Sequence, residues 1–206
     1  MVYDAIQIVI VGGGMTFRSR QDFKEFLSTL EISFDQDESW KDSYLDGELE
    51  SEAEILRPRM PCKENAKYDE WEAYFDRVTE HFRDGCILIG NSLGGIFLAK
   101  YLSEHSLSVS VRSLYLIAAP FDDTLGKEDL AGGFELGSDL SRIEQTCEEV
   151  TLLYSRDDDV VPEDHAYKYA TMLPSAVIKV FENMNGHFQI SEFPDIVRMI
   201  KQDMTR

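Results

Sequence analysis

Residues 90–95 read Gly90-Asn91-Ser92-Leu93-Gly94-Gly95, after the apolar run 86–89 and before a helical stretch over 96–102. A serine framed by glycines where a strand turns sharply into a helix is the sequence form of a nucleophile elbow. So tight a turn puts the serine in a strained backbone conformation, and flanking side chains would strike the neighbouring strand and helix. The hydroxyl is then held above the sheet, with the first amides of the helix facing the same space. That geometry suits attack on a carbonyl carbon.

Acyl transfer by a serine needs a base to take its proton and a carboxylate to orient that base. His187, in Asn185-Gly186-His187-Phe188, follows the apolar run 176–181 and lies where the last member of a Ser…Asp…His order belongs. His81 and His105 fall near the ends of predicted helices, and His165 at the start of one. The orienting acid belongs after the preceding strand, where 155–162 read Ser-Arg-Asp-Asp-Asp-Val-Val-Pro. Consecutive side chains in a turn point in different directions, so one of Asp157, Asp158 and Asp159 reaches the imidazole. Asp158 is the first choice and Asp157 the second. The other two are left to turn chemistry and to helix N-terminal charge before Pro162.

The developing oxyanion requires preorganised amide donors. Leu93 N–H, directly after the serine, is the first. The loop after the first strand supplies the second from Gly14, with Met15 as the alternative. Gly12-Gly13-Gly14 does not read as a phosphate loop, because no Lys-Ser or Lys-Thr follows and the dinucleotide spacing is not met. Met15, Asn91, Asp122 and Asp123 are the candidate substrate contacts. Facing the site, Asp122 and Asp123 would favour a neutral or cationic group and repel anions.

Positioning these groups is the task of alternating elements. Apolar runs at 5–11, 53–56, 86–90, 111–118, 149–154 and 176–181 read as buried strands. Between them lie helical patterns at 21–30, 68–82, from the elbow to about 105, 163–173 and 193–204. This alternation predicts an α/β fold, with a six-stranded, mainly parallel sheet covered by helices on both faces. Two regions are irregular. The acidic stretch 32–52 holds a short amphipathic helix around Trp40, Tyr44 and Leu45, and 121–141 reads as a glycine-rich loop. That loop lies beyond the carboxyl end of a strand, where open parallel sheets place ligands. It is too short for a separate lid domain, so residues 1–206 read as one domain.

The formal net charge of −19 argues against nucleic-acid and anionic-membrane partners, which need clustered Lys and Arg. No stretch approaches the roughly 18 to 20 apolar residues of a membrane span. The opening Met1-Val2-Tyr3-Asp4 lacks the basic flank and cleavage site of a secretory signal. Cys62, Cys86 and Cys147 show no metal-ligand spacing, and Cys86 reads as an inert buried thiol. A reducing, cytoplasmic setting is expected, with a small-molecule acyl substrate, no cofactor and no metal. Oligomeric state is left open.

The segments VGGGMTF (11–17), LRPRMP (56–61), NAKYDEW (65–71), ILIGNSLGGIFLAKYL (87–102), IAAPFDD (117–123), SRDDDVVP (155–162) and NGHF (185–188) span nearly the whole chain. On them the chain resembles the small, lidless α/β-hydrolases of the retinoblastoma-binding protein 9 and YdeN-like serine hydrolase family. In that pattern the acid stands four residues before the proline, which selects Asp158. Gly12 and Asn91 depart from it, each standing where the family commonly has histidine. Neither is a triad position, so they bear on substrate preference and the oxyanion loop. The resemblance implies a serine esterase with Ser92, His187 and Asp158 as triad. Without a lid, short acyl esters fit better than long lipid chains. Amidase, aminopeptidase-like or thioesterase activity is the alternative within catalysis, and a non-catalytic protein-binding module the alternative outside it.

Overall fold

The computed structural model describes residues 5–32, 39–50 and 52–206. The readings made on Met1–Asp4 and on residues 33–38 and 51 of the acidic stretch lie outside these. Six strands form one sheet in the order β2-β1-β3-β4-β5-β6. They are β1 (Ile6–Val11), β2 (Ala53–Leu56), β3 (Cys86–Asn91), β4 (Val111–Ile117), β5 (Cys147–Ser155) and β6 (Val177–Phe181). Every neighbouring pair is parallel, so the sheet is wholly rather than mainly parallel.

The central strands are largely apolar on both sides because each side meets a different helical layer. One core takes Val9, Val11, Leu88, Leu114, Leu116 and Leu152 against α3 (Tyr68–Thr79) and α4 (Leu93–Glu104). The other takes Ile8, Ile10, Ile87, Ile89, Ile117 and Leu153 against α2 (Leu45–Leu49) and α7 (Pro194–Met204). Successive strand side chains alternate between faces, which is why these runs show no polar alternation. Trp71 and Phe75 of α3 meet Phe97 of α4 edge-on, with ring centroids 5.3 and 5.1 Å apart. Such pairs contribute roughly 0.5–1.5 kcal/mol each beyond area burial. They fix the helix that begins at the elbow.

The helix α1 (Arg20–Thr29) forms where its periodicity predicts, with Ser19 Oγ accepting Asp22 N–H at 3.1 Å. Yet it buries none of its residues. Phe23 and Phe26 pack on Phe17, both centroid separations being 5.2 Å, and Leu27 stays exposed. Periodicity reports an apolar stripe, not whether a core exists to receive it.

The larger differences from the sequence reading are two boundaries and one additional helix. The strand β5 begins at Cys147 because Val111 of β4 pairs with it, extending the ladder through charged Glu148 and Glu149. The helix α5 (Ser141–Thr146) follows directly on the 121–140 loop, and α3 stops at Thr79. The helix α6 (Asp164–Met172) lies where expected. No helix among the described residues is long and apolar enough to cross a membrane.

Candidate active site

Ser92 joins β3 to α4 with φ 55° and ψ −126°. A non-glycine residue held there costs on the order of 1–3 kcal/mol, so the surroundings must enforce it. Its N–H donates to Ile117 O at 2.8 Å, and its carbonyl accepts Gly95 N–H at 2.8 Å. Gly94 lets the first turn of α4 lie on the end of β1: a Cβ there would sit 2.2 Å from Val11 O and 2.5 Å from Gly12 O. Gly13 approaches the serine itself, its would-be Cβ falling 3.6 Å from Ser92 Oγ. The glycines flanking the turn are therefore where two backbones touch.

The three adjacent aspartates have three different partners. Asp158 is buried, and its Oδ2 lies 2.7 Å from His187 Nδ1. Its Oδ1 accepts the Val160 and Val161 amides, both at 2.9 Å. Asp157 turns to the loop that carries the histidine, accepting Met184 N–H at 2.9 Å and Gly186 N–H at 2.8 Å, besides the Ser155 hydroxyl. Burial pushes the Asp157 carboxyl up, but these hydrogen bonds prevail and hold it below the usual carboxylate range. Asp159 pairs with Lys127 at the surface.

His187 follows Gly186, and Asn185 before it takes a positive φ of 55°. The ring is largely covered, with 16% of the side chain exposed. Its Nε2 is buried and has no hydrogen-bond partner among the described residues. It lines the same cavity as Ser92, a cleft of about 1580 Å³ that also takes in Gly12, Gly13, Gly14 and Asn91. Ser92 and His187 thus line one space, with one ring nitrogen unengaged and the other fixed by a carboxylate.

Of the two expected amide donors, Gly14 lines that space and Leu93 directly follows Ser92. Leu93 N–H, at the first position of α4, is one of those a helix leaves without an intrahelical acceptor. Gly14 lines the cavity, and a Cβ on it would press Lys63 O at 2.7 Å. The alternative donor, Met15, is corrected: its N–H already donates to Lys63 O at 2.7 Å, although the residue lines the cavity.

Asp122 and Asp123 do not line the cavity, which corrects their expected substrate contact. Asp122 receives Lys168 Nζ at 2.8 and 2.9 Å together with Thr124, while Asp123 takes Arg18 and the Leu130 amide. Both brace the 121–140 loop. That loop instead sends Glu128 to the cavity, fixed by its neighbours: Thr16 Oγ1 donates to Asp129 O at 2.6 Å and accepts Ala131 N–H at 2.9 Å. Burial raises the Glu128 carboxyl, Asp158 adds to this and His187 opposes it.

Sequence reasoning also missed Lys41. It lines the cavity and donates to Asn91 Oδ1 at 2.7 Å, making Asn91 a cavity residue with its amide already engaged. Burial lowers the Lys41 ammonium from its ordinary value, Asp42 opposing and Lys63 reinforcing the change. The one available signal was an apolar Trp40 beside a lysine in an otherwise acidic stretch.

Comparisons with known proteins bear on the family and the fold. The serine hydrolase family model matches residues 35–199. The serine hydrolase RBBP9 of Rattus norvegicus is 27% identical over 153 residues, covering 74% of this chain and 78% of that protein. Among solved structures, the ydeN gene product of B. subtilis superposes with a TM-score of 0.78 at 16% identity, covering 98% of this chain and 100% of that one. The meta-cleavage product hydrolase CumD of Pseudomonas fluorescens IP01 gives a TM-score of 0.66 at 13% identity, over 98% and 91% of the two chains. The architecture is the α/β-hydrolase fold.

Proposed function

We propose a reaction for this chain on one premise: it belongs to the serine hydrolase family. The reaction is hydrolysis of small carboxylic esters through an acyl-enzyme on Ser92. One observation carries it. His187 is bound at Nδ1 by Asp158, while its buried Nε2 is unengaged on the cavity that Ser92 lines.

His187 Nε2 takes the Ser92 proton as Oγ bonds to the acyl carbon, and the carbonyl electron pair moves to oxygen. Leu93 and Gly14 amides hold that oxyanion. As the tetrahedral intermediate collapses, the alkoxide leaves with the proton from His187. Water then attacks the acyl carbon, giving its proton to His187, and Ser92 departs reprotonated. Asp158 keeps the ring oriented and stabilises the imidazolium without itself taking the proton. The chain acts as a single domain on a small-molecule substrate. Its three cysteines are free, with Cys86 and Cys147 buried, which supports a reducing, cytoplasmic setting.

The test is fluorophosphonate labelling followed by intact mass, with turnover of short p-nitrophenyl esters by wild type and Ser92→Ala. One adduct on wild type, none on Ser92→Ala and turnover lost in the variant are expected. No adduct and no turnover in the folded wild-type protein would overturn the reading and favour a binding module.

A further inference from the structure

The segment carrying Lys41 is clamped from three directions. Trp40 is fully buried and meets Phe193 edge-on at 5.2 Å. Its backbone N–H donates to Ile190 O at 3.1 Å, on the stretch that follows His187. The Arg57 guanidinium binds the Lys41 carbonyl at 2.8 Å, the Asp42 carbonyl at 3.3 Å and the Asp46 carboxylate at 2.8 Å. From this fixed backbone the Lys41 side chain extends to Asn91, the residue before Ser92. Asn91 is steadied in turn by its Nδ2 donating to Ile117 O at 3.4 Å.

An ammonium has three N–H donors and no acceptor, and Asn91 occupies one. Among the described residues no carboxylate lies within ion-pair distance of Lys41, so a partly desolvated cation faces the cavity with a neutral partner. Removing a charge from water without a counter-charge is costly, and an incoming anion offsets that cost. Arg59 and Lys63 line the same cavity, both exposed and neither in an ion pair among the described residues. Overall the chain has 39 acidic and 20 basic side chains. The cavity lining does not share that excess, with Lys41, Arg57, Arg59 and Lys63 against Asp42, Glu64 and Glu128, Arg57 being paired with Asp46. Asp42 and Glu64 are exposed, Glu128 is half-buried, and among the described residues none of the three forms an ion pair with Lys41.

We propose that Lys41, backed by Lys63 and Arg59, is a carboxylate-binding subsite beside the nucleophile, so that the substrate is an ester carrying a carboxylate. Two remaining N–H donors suit the two oxygens of a carboxylate. The assignment rests on the acyl-transfer reading of Ser92 and adds the charge of its substrate.

Two matched pairs test it. On the leaving-group side they are 4-acetoxybenzoate and 4-acetoxybenzamide. On the acyl side they are mono-p-nitrophenyl adipate and its methyl ester. In at least one pair the anion is expected to lead in kcat/KM by about tenfold, equivalent to roughly 1.4 kcal/mol, with the gain in KM. Lys41→Met should abolish that ratio and Lys41→Arg should retain part of it. Lys63→Met alters an exposed side chain, so it keeps the test decisive should Lys41→Met not fold; it should lower the ratio several-fold. Equal turnover within both pairs, or a preference unmoved by these variants, would overturn the subsite. Turnover of the neutral members with fluorophosphonate capture would then leave the acyl-transfer reading standing. Absence of both would overturn the two together.

Discussion

Replacing Asp158 with Asn should disable the site while leaving the fold in place, for a reason visible in its hydrogen bonds. Oδ1 of Asp158 accepts two backbone amides, Val160 and Val161, at 2.9 Å each. An asparagine must put its carbonyl oxygen there, because its NH2 cannot face two donors. Its NH2 then points at His187 Nδ1, in the position of the 2.7 Å contact. Nδ1 must accept, so the ring proton moves to Nε2. A protonated Nε2 cannot take the Ser92 proton. In other Ser-His-Asp sites this wrong tautomer costs about 10⁴ in kcat, or roughly 5.4 kcal/mol of barrier at 1.36 kcal/mol per tenfold. Asp157→Asn is the contrast. Its two oxygens accept Met184 N–H and Gly186 N–H separately, so any orientation of the amide leaves one backbone N–H facing NH2. That costs on the order of 1–3 kcal/mol of stability. Ester kinetics and urea unfolding of both variants decide the matter: Asp158→Asn should lose rate and hold its midpoint, Asp157→Asn the reverse. Near-wild-type kcat in a folded Asp158→Asn would refute the tautomer argument.

Three shorter predictions rest on other contacts. Burial pushes the Asp122 carboxyl up, but Lys168 and Thr124 hold it down at about 2, against an unfolded value of roughly 3.9. Its contribution to stability is therefore complete above about pH 4 and is lost as pH falls toward 2; urea midpoints at pH 6 and pH 3 should fall more steeply in wild type than in Asp122→Asn. Burial lowers the His165 imidazole from its ordinary value, and its Nδ1 accepts Phe121 N–H at 2.9 Å. Its share of stability is present above the unfolded value of roughly 6.5 and declines as pH falls below it, so an NMR titration should place the midpoint of this ring below that of an unfolded histidine, and a midpoint at or above it would contradict the assignment. Burial pushes the Cys86 and Cys147 thiols up to about 12 each, whereas Cys62 is exposed on the cavity rim; iodoacetamide should add one group to the native protein and three after denaturation.

The elements of the fold were legible wherever burial acts on the chain from both sides. Strand runs such as Ile6–Val11 and the helix after Ser92 follow from residues that have no exposed face. The elbow was legible because Gly94 touches backbone and nothing larger fits. What escaped depends on partners far along the chain. The role of Asp157 lies in amides at 184 and 186, and an amide leaves no mark on sequence. Asp122 was expected in the site because it follows a strand end, yet Lys168, 46 positions later, draws its carboxylate away. Lys41 meets Asn91 across 50 positions from within an irregular acidic segment, where local charge points to the opposite conclusion.

The acidic exterior and the cationic cavity wall act over different ranges, so one does not predict the other. At physiological ionic strength the field of an exposed charge is screened within about 8 Å, while partly buried charges are screened much less. A net charge of −19 therefore keeps the chain solvated and slows the approach of anions mainly in dilute salt. Inside the cleft the interaction is set by the groups that have lost water. Lys41 is such a group, and a bound carboxylate would favour its charged form, strengthening the contact that selects the substrate. Raising salt from low to physiological should thus speed capture of an anionic ester without erasing its advantage over the neutral partner. A preference that vanished over that range would locate the discriminating charge on the open surface instead of at Lys41.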